Sequence, residues 1–176
     1  MADYTDVLAP AKDNPGGTKL AFYFAPLNTF DVIQKEGGID AANLEDVAVI
    51  SADHTFKAGG RFFKVELELN KNELNSEYQG AVRGNADKFT FTGLIPNLSP
   101  AQEGLLRKAR AEKHIVLVPL PDGQVVQLGE EDNGATITNN FGTGTQEGGE
   151  RGNTLTITSI HYKKLYTGVI PLVAAN

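Results

Sequence analysis

The stretch NFGTGTQEGGERGNTLTITS, residues 140–159, has residue types and spacing that could form a ligand-binding loop. Glycine-rich loops of this density can wrap backbone N–H groups around a phosphate. A P-loop requires lysine directly after its second spaced glycine, yet Glu150 follows Gly149, and a carboxylate there would repel phosphate. Phosphate loops also lead into a helix, whereas the residues after Gly152 alternate as a strand does. The sequence therefore predicts a polar surface loop and not a nucleotide site.

Residue types suited to hydrolysis or metal binding occur elsewhere in the chain. Ser51, Asp53 and His54 are close in sequence, but no G-x-S-x-G pattern surrounds the serine. We expect turn and capping contacts from Asp53, His54 and Thr55. The remaining histidines, His114 and His161, show no metal-ligand spacing, and the chain has no cysteine. His114 opens an apolar strand, and we expect His161 on a strand surface. The sequence predicts no enzyme activity, no cofactor and no metal site.

Three consecutive acidic residues, Glu130, Glu131 and Asp132, precede Asn133 and Gly134. This order resembles a calcium loop only superficially, because the spacing of ligands in an EF-hand is missing. We interpret the segment as a solvated acidic turn.

The composition limits the classes of function. The chain has 176 residues, enough for one domain, and its 22 acidic and 16 basic residues give a net charge of −6. Tight nucleic-acid binding uses clustered Lys and Arg, so the acidic balance argues against a surface that grips phosphates. No apolar run approaches the ~20 residues that a membrane span needs, and we expect no membrane partner.

Most segments have the two-residue period of strands. In RFFKVELELN, the side chains of Phe63, Val65, Leu67 and Leu69 are expected to share one face. The segments KFTFTGL and NTLTITSI alternate in the same way, and HIVLVPL is apolar on both faces. We therefore predict a mainly β fold, an antiparallel β-sandwich or barrel, formed by a single domain over residues 18–176 after a flexible N-terminal arm, residues 1–17.

One segment predicts a flanking α-helix, at about residues 99–113. Ser99 is a good N-cap, Pro100 suits the first helical position and Gln102 completes a capping box. Basic residues fill the second half of this helix, and we interpret them as a solvated face. A shorter helix is expected around Asn28 to Gln34.

The order of these features resembles the major tail (tube) proteins of tailed phages, in particular those of phages and prophages of Bacteroidota. The resemblance covers roughly the last two-thirds of the chain and part of KLAFYFAPLNTF. It rests on the Phe- and Gly-rich turn (Thr55, Phe56, Gly59, Gly60, Phe62), Glu77 and Gly80, the Ser99-Pro100 helix start, the strand of Val116, Leu117 and Val118, DGQVVQLG, and the glycine loop before the threonine-rich strand.

This resemblance implies a virion structural protein located in the phage tail and assembled in the host cytoplasm. The resemblance implies subunits that form a homo-oligomeric, hexameric ring. These rings would stack into a tube, contact other tail proteins and let DNA pass without gripping it. Under this hypothesis the glycine loop reaches a neighbouring subunit through Gly142, Gly144, Gln146, Gly148, Gly149 and Arg151. The acidic residues Glu130, Glu131 and Asp132 then line the lumen or form a surface turn.

Two other classes remain open from the sequence. A capsid decoration or head-associated protein is also β-rich and acidic, and particle stoichiometry would separate it from a tube. A carbohydrate-binding β module normally presents aromatic residues on a concave face, and this chain has no Trp.

Overall fold

The computed structural model describes residues 16–69, 71–80, 86–145, 148–149 and 151–175. It confirms the mainly β fold and, within these residues, contains one α-helix. The strands are β1 (Ala21–Pro26), β2 (Phe30–Val32), β3 (Val49–Ile50), β4 (Thr55–Phe56), β5 (Phe63–Glu66), β6 (Glu73–Gln79), β7 (Ala86–Pro96), β8 (His114–Pro119), β9 (Val125–Leu128), β10 (Thr136–Gly142), β11 (Gly152–His161) and β12 (Lys164–Tyr166), and the helix is α1 (Pro100–Ala109).

The strands form three sheets. A six-stranded sheet has the order β3-β12-β9-β8-β1-β5, and all its pairs are antiparallel except β12 with β3. A four-stranded antiparallel sheet has the order β10-β11-β7-β6, and β2 pairs with β4 separately. Apolar side chains of the two large sheets and of α1 share the main core. The arrangement is an open sandwich, which decides between the two predicted architectures: the barrel does not form.

Strand β8, in the six-stranded sheet, is buried on both faces. Val116 and Val118 lie in the main core, while Ile115 and Leu117 lie in a second core on the opposite face. All four are fully buried. The sequence HIVLVPL, apolar at consecutive positions, therefore corresponds to a central strand between two cores.

Helix α1 begins as predicted and ends earlier. The Ser99 hydroxyl accepts a hydrogen bond from the backbone N–H of Gln102 at 3.2 Å, and the Gln102 side chain accepts one from the Ser99 N–H at 3.0 Å. The last helical residue is Ala109, and the chain turns at residues 110–113 to enter β8.

The second predicted helix, Asn28 to Gln34, is wrong. A single 3₁₀ turn, Leu27–Thr29, leads directly into β2. Phe30 is buried in the second core and stacks on Phe56 at 4.4 Å between ring centroids. Burial against the paired strand β4 thus overrides the local helical pattern.

The strand predicted from RFFKVELELN is shorter than expected. It ends at Glu66, since the chain then leaves the six-stranded sheet and the N–H of Glu68 bonds to the carbonyl of Leu94 in the other sheet. Leu69, expected on the buried face, is 58% exposed.

The expected N-terminal arm lies outside the described residues except for Gly16 and Gly17, which are exposed. Among the described helical segments, none has the length and apolar character to cross a bilayer.

Candidate functional site

The glycine loop joins the ends of β10 and β11 and is built on a regular hairpin. The two strands remain paired up to Gly142 opposite Gly152. Gly144 and Gly149 have φ angles of 67° and 119°, which glycine adopts at little cost. The Thr145 hydroxyl and N–H both bond to the Gly148 carbonyl. The loop leads into strand β11 and not into a helix, as a phosphate loop would require.

Of the six residues predicted to contact another subunit, five lie in this hairpin and Gln146 lies outside the described residues. Gly142 ends β10, while Arg151 is exposed and its carbonyl accepts from the Asn97 N–H at 3.1 Å. This contact anchors the base of the loop to the end of β7. Gly152, which follows Arg151, also lies close to β7, because a Cβ on Gly152 would collide with the Ile95 carbonyl of that strand.

The four-stranded sheet carries its two connections at opposite ends. Pro96, the last residue of β7, pairs with Gly152, so the glycine loop lies at that end. Gln79 pairs with Ala86, and Asp87 with His161, so the connection from β6 to β7 lies at the other end. The two connections therefore lie at opposite ends of the same sheet.

The free face of the four-stranded sheet is rich in threonine. One row across the strands contains Thr136, Thr158 and Thr90, and the next contains Thr138, Thr156 and Thr92. Neighbouring strands are about 4.8 Å apart, and alternate residues along a strand are about 6.8 Å apart. None of these threonines is buried, whereas the residues between them face the core. Among the described residues, the strands of this face carry the charged side chains of Glu73, Glu77 and Lys88, with Glu77 opposite Lys88. The Lys113 ammonium also reaches the face, where it donates to the Thr136 hydroxyl at 2.7 Å.

The acidic turn takes part in a buried ionic cluster. The Lys164 ammonium contacts Glu130 at 2.6 Å and Glu36 at 2.9 Å, and its side chain is only 6% exposed. Burial alone would raise the pKa of Glu36, but the hydrogen bond and charge of Lys164 lower it. Glu131 forms an exposed ion pair with Lys35 at 3.0 Å. The predicted acidic turn therefore ties the segment after β2 to β9 and β12.

His54 is buried in the second core and neutral. The Gln34 N–H donates to its Nδ1 at 3.0 Å, so its Nε2 carries the proton and donates to Gln127 Oε1 at 2.8 Å. Its ring stacks on Tyr166 at 4.7 Å. Burial lowers the pKa of His54. The neighbouring Asp53 carboxylate accepts from the N–H of the distant Val169 at 2.7 Å, which links this segment to the C-terminal part of the chain.

The expected surface position of His161 is wrong, because this side chain is only 4% exposed. It receives the Gly129 N–H at Nε2 at 3.0 Å, donates from Nδ1 to the Tyr162 carbonyl and stacks on Phe89. Burial lowers the pKa of His161 as well. The alternation of Leu155 and Ile157, continued to residue 161, leads to this inner face, and the expectation of a surface position missed that signal.

His114 opens β8 as predicted and is fully buried, with no hydrogen-bond partner for either ring nitrogen among the described residues. It lines a largely apolar cleft of about 220 Å³ beside α1, together with Phe24, Phe63 and Leu105. Its pKa is lowered by burial, so the ring is neutral at pH 7. Lys108 and Glu112 also line this cleft, but neither is hydrogen-bonded to the His114 ring.

The structure does not assemble the sequence candidates into one catalytic centre. Within the described ranges, no group of three or more His, Asp or Glu side chains is arranged to hold a metal ion. The features that could carry function are instead surfaces: the threonine face and the two sheet ends.

Comparison of the chain with known protein families, with curated proteins and with solved structures gives no match. The function is therefore argued from the surfaces themselves.

Proposed function

We propose that this protein is a virion structural subunit that forms rings, and that the rings stack into a tail tube through which DNA passes. The observation that carries the proposal is the four-stranded sheet, covered on one face, threonine-rich on the other and ending in loops at both ends. The subunit is assembled in the host cytoplasm and resides in the virion tail. The resemblance of the sequence to major tail proteins supports the same function.

The packing on one face of the four-stranded sheet supports an assignment of the face that would line the channel of the ring. The six-stranded sheet and α1 pack behind the four-stranded sheet, so the bulk of each subunit lies on that side. In a closed ring, this bulk fits only on the outside, and the threonine face lines the channel. Hydroxyl groups without an excess of positive charge give DNA phosphates no strong attachment.

Stacking requires two different contact surfaces along the tube axis, because head-to-tail contacts are heterologous. The glycine loop at one end of the sheet and the β6–β7 connection at the other supply such a pair. In this proposal the glycine loop contacts the next ring.

The acidic turn lies at one margin of the threonine face. The Asn133 side chain, next to Asp132, donates to the carbonyl of Ile160 near the end of β11. Glu130 is engaged by Lys164 and Glu131 by Lys35, so the exposed Asp132 is the acidic residue of this turn that is available to a channel entrance. The acidic turn would therefore lie at the rim of the channel and not along its wall.

The first experiment is negative-stain electron microscopy across a concentration series, with the mass measured by light scattering on the same samples. Hollow rings or tubes are expected, with a mass that is a multiple of the 18.9 kDa subunit. Closed trimers would contradict a tube and favour capsid decoration. A monomer at every concentration would contradict self-assembly.

A loop variant tests the stacking contact without disturbing the fold. Because β10 and β11 remain paired up to Gly142 and Gly152, an Asn-Gly turn in place of residues 143–151 closes the same hairpin. Single rings are expected to persist while tubes are lost. Tubes as long as those of the unmodified chain would show that the loop does not connect rings.

A further inference from the structure

The two edges of the six-stranded sheet carry different structures. Strand β3 is one edge and β5 is the other. The Ile39 loop, residues 37–46, leads into β3 through the 3₁₀ turn Glu45–Val47. Helix α1 lies beside β5, because Leu106 of the helix and Val65 of the strand line the same cleft. The two edges are five strand spacings apart, or about 24 Å. The Ile39 loop and α1 therefore lie on opposite sides of the molecule.

The Ile39 loop, residues 37–46, presents an apolar side chain at its tip. The Ala41 N–H bonds to the Gly38 carbonyl at 3.0 Å, so Ile39 and Asp40 occupy the central positions of a tight turn. Ile39 is 71% exposed, although polar residues predominate in turns. The tip thus consists of an exposed aliphatic side chain followed by a carboxylate.

The cleft beside α1 that His114 lines, here the helix cleft, has a complementary character. Its volume is about 220 Å³, and most of its wall is apolar, from Phe24, Phe63, Leu105 and Ala109. The exposed Lys108 and the half-buried Glu112 complete the lining. A cavity of about 150 Å³ admits a benzene ring. The helix cleft therefore has room for one aliphatic side chain and a cation next to it.

The charges of the two surfaces are opposite. The Ile39 loop contains no Lys or Arg, and its acidic residues are all exposed: Asp40, Glu45 and Asp46. Residues 100–113, which form α1 and the turn after it, contain four basic and two acidic residues: Arg107, Lys108, Arg110 and Lys113 against Glu103 and Glu112. Opposite charges bring the two surfaces together and disfavour a contact between two like surfaces.

The two surfaces do not meet within one molecule. A hydrogen bond from the Gly37 N–H to the Asp46 carbonyl, at 2.9 Å, closes the base of the Ile39 loop, so its tip stays near the β3 edge. Between two copies they form a heterologous contact, which repeats head to tail. The occupant of the helix cleft that fits both its shape and its charge is therefore the loop of a second copy.

The same two surfaces lie toward the two ends of the four-stranded sheet. The Gln102 side chain donates to the Pro96 carbonyl at 3.4 Å, which places the start of α1 at the glycine-loop end. Glu36, directly before the Ile39 loop, is joined through Lys164 to Glu130 of the acidic turn. That turn lies near the end of β11, at the other end of the sheet. A head-to-tail contact thus runs along the strands of this sheet, the direction in which the proposed rings stack.

We propose that Ile39 of one copy inserts into the helix cleft of a copy in the next ring, with Asp40 beside Lys108. The inference rests on the proposed tube and identifies a contact that stacks its rings. The apolar insertion gives the contact its position, and the charge pair gives it its direction. Each copy offers the loop on one side and the cleft on the other, so the contact repeats along the tube.

Charge reversal tests the contact by electron microscopy of assembly. Asp40→Lys and Lys108→Glu should each raise the protein concentration needed for tubes at least about tenfold, because each places like charges together. The double variant should restore tubes near the original concentration. Asp31→Lys, at an exposed position on β2, makes the same change outside the loop and should leave assembly unchanged.

The outcomes separate this contact from the proposed function. Tubes that form equally well from the unmodified chain and from both single variants would overturn the contact and leave the tube intact. Failure of the double variant to recover would overturn the pairing of Asp40 with Lys108. An unmodified chain without rings or tubes would contradict the proposed function, and crosslinking then decides the contact by itself.

Crosslinking reports on the contact without microscopy, and the chain has no native cysteine to interfere. The double variant Asp40→Cys, Lys108→Cys should oxidise into a ladder of dimers, trimers and longer species on a non-reducing gel, because each copy carries one thiol on each surface. The control Asp31→Cys, Lys108→Cys should remain mainly monomeric under the same conditions. Ladders of equal extent from both pairs, monomers from both, or an internal disulfide in the first would overturn the assignment.

Discussion

Lys164 is a charged residue in an environment that its type rarely occupies. Its ammonium is nearly excluded from solvent, whereas the partners Glu36 and Glu130 are 21% and 34% exposed. A buried charge is tolerated only when its partners are in place, and removal of one partner leaves the others uncompensated. The cluster holds together three segments distant in sequence, so its residues could not be paired from the sequence alone.

Replacement of Lys164 by methionine is expected to lower the free energy of unfolding by about 3 kcal/mol, the lower end for breaking a buried ion pair, because its two partners are partly solvated. Chemical denaturation measures this change. Lys35→Met is the matched control, since the Lys35–Glu131 pair is exposed, and its stability should equal that of the unmodified chain. Equal losses in both variants would contradict a special role for the buried lysine.

The buried histidines make stability depend on pH. Burial lowers the pKa of His54, His114 and His161 below the ordinary value of 6.5, so the unfolded chain binds protons before the folded one does. Their stabilising contribution is complete above pH 6.5 and is lost as the pH falls below it, by up to about 1.4 kcal/mol per unit for each histidine. Glu36, whose pKa is lowered from 4.5, loses its contribution only below that pH.

We therefore expect the free energy of unfolding to fall between about pH 6.5 and pH 5.5, and to fall less steeply in the variant His54→Gln. Glutamine retains a donor toward Gln127 but does not titrate. Denaturant unfolding at a series of pH values measures both slopes. The same slope in both proteins would mean that His54 is protonated equally in the folded and unfolded states.

At the scale of elements, the sequence predicted those features that depend on residues close together in the chain. The capping box of α1 and the alternation of β7 and β11 involve neighbours in sequence, and both were predicted from it. The burial of Phe30 against Phe56 and the early end of β5 depend on contacts between distant segments, so the sequence pattern alone gave a helix and a longer strand there. Strand order depends on such contacts throughout.

The N-cap of α1 gives a direct test at this scale. Ser99→Ala removes the acceptor for the Gln102 N–H and is expected to reduce stability by about 1 kcal/mol. Ser51→Ala, at an exposed position outside any helix, serves as the control and should change stability little. Thermal or chemical unfolding compares the two. An equal effect would mean that the cap contributes nothing to the helix.

For the proposed function of the whole molecule, the distribution of charge over the surface matters more than the net charge. Acidic residues gather in two linked segments, residues 36–46 and 130–132, which are joined through Lys164 and Lys35. The threonine face lies on the other large sheet and carries little net charge. The net charge of −6 argues against a protein that grips DNA, and the sheet topology gives the surface that we propose DNA passes.

Positive charge added to the threonine face should make the proposed channel retain DNA that would otherwise pass through it. In tubes assembled from Thr156→Lys, each ring presents one new lysine per subunit to the channel, and short duplex DNA is expected to be retained with an affinity that falls as salt rises. Gln124→Lys, on the exposed turn between β8 and β9 of the other large sheet, adds the same charge away from the face and should retain none. Filtration of labelled DNA with tubes of each variant across a salt series measures the difference. Equal retention by both variants would indicate that the threonine face does not line the channel, whereas retention by Thr156→Lys alone would locate the DNA path on it.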